Sequence, residues 1–100
     1  MKVHRPAVGM ICASAQGRDK DCIYVICGIQ SPSFVYVADG AGKKLNCPKR
    51  KNVKHLVLTA HNAAQYGADF SNGSVNDCVL AYAIKQYKTL KNQVGGSKIV

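Results

Sequence analysis

Residues 22 to 27 read Cys-Ile-Tyr-Val-Ile-Cys, apolar at every position and rich in β-branched and aromatic side chains. Such side chains suit a pleated backbone. The run has strand length, far short of the roughly 18 apolar residues that would span a bilayer as a helix. Successive residues of a strand point to opposite sides, so a run with no polar position has to be covered on both faces. In a chain of 100 residues, which has room for one small core, a sheet that curls on itself as a small closed barrel provides that cover.

The flanking segments have strand and turn signals in the same style. Residues 7 to 15 mix small and apolar residues without helical periodicity and precede a turn over 16 to 21. After a break at Gln30-Ser31-Pro32-Ser33, Phe34 to Ala38 forms a third strand, and Asp39-Gly40-Ala41-Gly42 tolerates the left-handed backbone of a tight turn. That turn leads to an expected fourth strand over Lys43 to Cys47, ended by Pro48. A basic stretch then runs into a helical turn and a closing strand over Leu56 to Thr59. Residues 60 to 73 lack periodicity and read as a linker, with Tyr66 and Phe70 able to pack back on the barrel. Ser74 reads as an N-cap with Asp77 three residues on, helical spacing follows from Val75 to Asn92, and Gly95-Gly96 reads as the stop. Within that helix Cys78, Val79, Tyr82 and Ala83 share one side, and Leu80, Ile84, Tyr87 and Lys91 trace another. The expected fold class is mainly β: a five-stranded barrel over residues 1–59, a linker over 60–73, and a C-terminal α-helix over 74–95 that packs on the barrel or on a partner.

Charge narrows the function. The chain holds 14 Lys and Arg against 5 acids, a net charge of +9, and every acid is Asp. Ten of the cations and three of the acids fall in residues 1–59. Lys43, Lys44, Lys49, Arg50, Lys51 and Lys54 lie close together with no acid among them, a density that repels itself unless an anion relieves it. A polyanion is the expected partner, nucleic acid before membrane. The N-terminus lacks the apolar segment of a secretory signal, so the expected location is cytoplasmic. Five cysteines without a Cys-x-x-Cys pair read as plain thiols, with no metal site or cofactor expected.

A more specific pattern lies near the N-terminus. Gly9 and Gly17 bracket a strand-like segment, and Gly17-Arg18-Asp19-Lys20 opens a loop before the next strand. This arrangement resembles the KOW motif of ribosomal proteins and bacterial transcription elongation factors. Phe34-Val35-Tyr36-Val37-Ala38-Asp39-Gly40 and Cys47-Pro48-Lys49-Arg50-Lys51-Asn52-Val53-Lys54-His55-Leu56 extend the resemblance. Over about residues 7 to 59 the chain is similar to the large-subunit ribosomal KOW proteins of archaea and eukaryotes and to small bacterial KOW-domain RNA-binding proteins. Asp21 departs from the family, whose loop commonly has glycine there.

The resemblance implies an SH3-like barrel that binds ribosomal RNA and meets ribosomal proteins. Gly17 would let the backbone approach a phosphate, and Arg18, Lys20, Lys43, Lys44, Lys49, Arg50, Lys51 and Lys54 would hold phosphates. His55, with Asn46 and Asn52, would reach a base or 2′-hydroxyl, and Tyr24 or Tyr36 would stack on a base. Two other classes compete. A protein-interaction module of SH3-like type would use the C-terminal helix through Tyr82, Ile84, Tyr87 or Leu90, and a transcription-linked KOW factor would bind DNA or polymerase. An enzyme is not expected: His4, His55 and His61 have no motif spacing with Cys12 or Cys47, and no phosphate-cradling glycine loop occurs.

Overall fold

The apolar run forms the middle strand of a five-stranded antiparallel sheet. The structure, a computed structural model, describes residues 5–15, 22–73 and 75–99, and the side chains among them except those of residue 72 and residues 91–99. The strands are β1 (Met10–Ser14), β2 (Ile23–Ile29), β3 (Phe34–Ala38), β4 (Lys49–Asn52) and β5 (Leu56–Asn62), in the spatial order β4-β3-β2-β1-β5. A C-terminal helix, α1 (Asp77–Ile99), follows.

Both faces of β2 are covered, as its composition requires. Ile23 and Val25 join Ile11, Ala38, Ala63, Ala68, Leu80, Ala83, Ile84 and Tyr87 in a core between the sheet and α1. Tyr24 and Ile26 point the other way and join Cys12, Val35, Val37 and Leu56 in a second core. Among the described residues no α-helix covers the second core, so the sheet itself must supply most of the cover. The link from β4 to β5 explains how. These strands are the two edges of the sheet, yet only Val53–His55, a single 3-10 turn, separates them. Four Cα steps span at most about 14 Å, whereas the edges of a flat five-stranded sheet stand about 19 Å apart. The sheet is therefore curled, concave around the second core. The Val53 amide donates to the Ser33 carbonyl (2.8 Å) and the Ala15 amide to the His55 carbonyl (2.8 Å), tying the turn to both sides. Among the described residues β4 and β5 form no ladder, so the sheet stays open.

Two irregularities accommodate the curl. The β2–β3 register shifts between Ile26 and Gly28, and the β1–β5 register shifts between Met10 and Cys12. Bulges of this kind bend and twist a strand. At the second, the Ile11 carbonyl accepts from the Thr59 hydroxyl (2.7 Å).

The helix presents Leu80, Ala83, Ile84 and Tyr87 to the first core, a spacing that puts all four on one side. The Tyr87 ring meets His61 of β5 edge-on at 5.2 Å and Tyr66 at 6.5 Å. Asn76 caps the start of α1: its Oδ1 accepts from the Val79 amide (2.9 Å). Ser74, the expected cap, lies outside the described residues. Asp77 accepts from the Leu45 amide (2.8 Å) and so fastens the loop after β3 to the start of α1. Gly40 sits under that first turn at φ +80°, where a Cβ would overlap the Asp77 carbonyl and stand 2.9 Å from the Ala81 nitrogen.

The fourth strand differs from the expectation. Residues 43 to 47 form a loop, and β4 is the basic stretch Lys49–Asn52 after Pro48. The loop is held by Asp39, whose Oδ1 accepts from the Ala41 and Lys43 amides at 2.9 Å each. Pro48 lacks an amide donor and sits before the strand it was expected to end. Gly95 and Gly96 lie within α1 instead of stopping it. Glycine in a helix costs about 1 kcal/mol relative to alanine but ends it only when it turns left-handed. Residues 60 to 73 contain the end of β5 and two 3-10 turns, Ala63–Tyr66 and Phe70–Asn72, with Ala63 and Ala68 fully buried.

Gly40→Ala is expected to destabilise the fold by about 3 kcal/mol, through the left-handed backbone and the overlap with α1. A urea unfolding midpoint measures it. Gly42→Ala, where nothing lies within 4 Å of an added Cβ, should change the midpoint little.

Candidate nucleic-acid interface

The basic segment does not form one patch, because half of it is a strand. Cross-strand partners share a face, and β4 pairs with β3 as Phe34↔Asn52, Val35↔Lys51, Tyr36↔Arg50 and Val37↔Lys49. Val35 and Val37 point into the concave core, so Lys49 and Lys51 lie on that side, half-buried. Arg50 and Asn52 lie on the opposite side with Phe34 and Tyr36. This is the face that α1 covers over β1 and β2. Ala38 at the end of β3 is still buried in the helix-side core, whereas Phe34 and Tyr36 of β3 and the outer side of β4 lie beyond it.

On this outer surface the Arg50 guanidinium stacks over the Phe34 ring at 4.2 Å. Tyr36 is half-buried and leans on Gly28, whose absent Cβ would lie 3.5 Å from the Tyr36 ring. Asn52 caps the 3-10 turn by accepting from the Lys54 amide (2.9 Å). Its side-chain oxygen thus has a structural partner. Lys54 is exposed on the turn and His55 half-buried. Lys44 is exposed and Lys43 half-buried in the loop that Asp39 holds. Gly17, Arg18 and Lys20, with Asp21, lie outside the described residues.

Phe34 was not singled out by sequence. The signal was present in the alternation Phe34-Val35-Tyr36-Val37, which puts two aromatics on one face and two valines on the other. Tyr24 is 3% exposed and belongs to the concave core, so it offers no ring for stacking.

The described acids each have a role in the fold. Asp39 serves its loop, Asp77 serves Leu45, and Asp69 accepts from the Ser71 amide (2.9 Å) and hydroxyl (2.6 Å), which hold its carboxyl below the usual range. All three described acids are thus engaged by backbone amides.

Burial pushes the Cys12 thiol up to about 12, with Lys51 pulling it slightly back. Burial also raises Cys27, whose Sγ lies 3.5 Å from the Tyr36 carbonyl. Neither is activated toward thiolate chemistry. His61 packs edge-on against Tyr87, and His4 lies outside the described residues. Among the described residues no group of three His, Cys or Asp could hold a metal, and no helix is long and apolar enough to cross a membrane.

Thiol labelling of the native protein should modify exposed Cys22, Cys47 and Cys78 readily, Cys27 slowly, and Cys12 only on unfolding. The raised Cys12 value also sets a pH dependence. Both states are neutral well below 9.0; above it the unfolded thiol ionises first, so stability falls as pH rises from 9.0 toward about 12. Cys12→Val should flatten that alkaline decline in unfolding midpoints.

Compared with known proteins, the chain matches no family model and no curated sequence, so the reading of this surface rests on its own chemistry.

Proposed function

We propose that the chain binds RNA, ribosomal RNA being the class its KOW resemblance favours, and that it acts by binding rather than by catalysis. The observation that carries this reading is the Arg50–Phe34 stack on the β3–β4 surface beyond α1, beside Tyr36, with Lys54 exposed on the adjoining turn and Lys49 and Lys51 on the concave side of the same edge strand. An aromatic on an open sheet takes the face of an unstacked base, and an arginine plane extends that platform. The neighbouring cations track the backbone phosphates and set register without reading sequence. The strand order and the curl that brings β4 next to β5 support the SH3-like barrel that the resemblance implies.

The charge balance supports the same reading. A net charge of +9 gives a positive field that draws a polyanion to the molecule. The RNA contact includes Lys43 and Lys44 in the loop and the Gly17-Arg18-Asp19-Lys20 segment.

Binding to a ribosomal RNA fragment with a single-stranded loop, followed by filter retention across a salt series, tests this. Four to six phosphate contacts predict a log–log slope of about −3 to −4. Changing Lys49, Arg50 and Lys51 together to Glu should abolish retention with circular dichroism unchanged. Phe34→Leu, which keeps an apolar strand residue but removes the ring, should weaken binding by about 1–3 kcal/mol without altering the salt slope. A flat salt response, or full binding by the triple variant, overturns the reading.

A further inference from the structure

The face that carries Phe34 and Arg50 continues along β3 to a groove of about 290 Å³ beyond Ala38. Three elements build it: the start of β2, the Asp39–Gly40–Ala41 turn and α1. Ile23 and Ile84, each almost fully buried, supply apolar lining, and Ala41 and Ala81 add only small side chains. The volume lies just below the usual range for ligand sites, roughly 300–1,000 Å³. One nucleotide fits such a space, and a base pair does not.

The polar groups of the groove have two signs. Lys85 and Lys88 are exposed on one side of α1, three residues apart and hence neighbours. No ion pair joins either to a carboxylate among the described residues. Asp39 comes from the turn. Its Oδ1 accepts from two loop amides, and because a carboxylate has about four lone-pair sites, it can accept from a further donor.

We infer that this groove seats one unstacked nucleotide of the bound RNA, its phosphate on Lys85 and Lys88 and a base bearing an exocyclic amino group against Asp39. The inference rests on the RNA-binding reading. A carboxylate accepts from an amino group and repels a carbonyl oxygen, so cytosine is favoured over the nearly isosteric uracil. The same charge drives the phosphate away from the turn and toward α1. Along β3, Phe34 and Asp39 are five residues apart, about 17 Å. An RNA strand stacked on the Phe34 surface therefore reaches the groove within a few nucleotides.

Amide chemical-shift titration of the full chain with cytidine monophosphate, uridine monophosphate and inorganic phosphate at fixed ionic strength tests the assignment. Cytidine monophosphate should shift the amides of Ile23, Ala41, Ala81 and Ile84 and saturate, with the uridine nucleotide about tenfold weaker. Inorganic phosphate should move only amides near Lys85 and Lys88. Equal response to both nucleotides, or a phosphate pattern matching the cytidine pattern, overturns the inference. In Lys85→Gln/Lys88→Gln the cytidine response should disappear, and RNA affinity should drop about tenfold with a salt slope smaller by one to two units. If RNA binds through Arg50 while no nucleotide shifts the groove, the groove assignment fails and the RNA reading stands. If cytidine monophosphate saturates the groove while the chain binds no RNA, the groove stands and the RNA reading fails.

Discussion

A connection of one 3-10 turn between the two edge strands governs the rest of this structure. Val53–His55 is too short to cross a flat sheet of five strands, so β4 and β5 have to approach each other and the sheet has to bend. Bending creates an inside, which Cys12, Tyr24, Ile26, Val35, Val37 and Leu56 fill. It also leaves an outside that remains apolar over β1 and β2. α1 covers that part through Leu80, Ala83, Ile84 and Tyr87, which also bury Ala38 at the end of β3. The part beyond this core is the outer surface of β4 and of β3 from Phe34 to Tyr36.

The proposed function follows from where that cover stops. On that outer surface the alternation of a strand brings Phe34, Tyr36 and Arg50 together, while Lys49 and Lys51 turn to the concave side. A stretch of six cations that looks uniform along the chain is therefore divided by the fold into a stacking surface, a concave edge, a turn and a loop. The described acids Asp39, Asp69 and Asp77 organise a loop, a 3-10 turn and the start of the helix. The same Asp39 turn forms one wall of the groove beside Lys85 and Lys88, so a residue that shapes the fold also sets the polarity of a binding space.

Much of the fold is legible from residues whose physics is local. Six consecutive apolar residues at 22 to 27 demand two-sided burial, Phe34 to Ala38 coincides with β3, and Leu80, Ile84 and Tyr87 mark the buried side of α1. The misplaced fourth strand has a different origin. Lys49–Asn52 has no apolar alternation because it is an edge strand held by its pairing with β3, a long-range cause with no local signature. At the start of α1 Asn76 accepts from the Val79 amide and Asp77 from the Leu45 amide of a distant loop, and the second contact has no local signature. In the site, the cations were visible as a charge cluster, but their division between faces depends on a register that the chain does not display. Phe34 and the groove lysines became visible only when the faces were known.

Amide chemical-shift mapping of the full chain on addition of a ribosomal RNA loop tests the central claim most directly. The account predicts the largest shifts at Phe34, Tyr36, Arg50 and Asn52 on one face of the sheet and at Lys54 in its adjoining turn, and their weakening as salt is raised. Shifts confined to the exposed side of α1 around Tyr82 and Leu90, or none at RNA concentrations above the protein's, would contradict it.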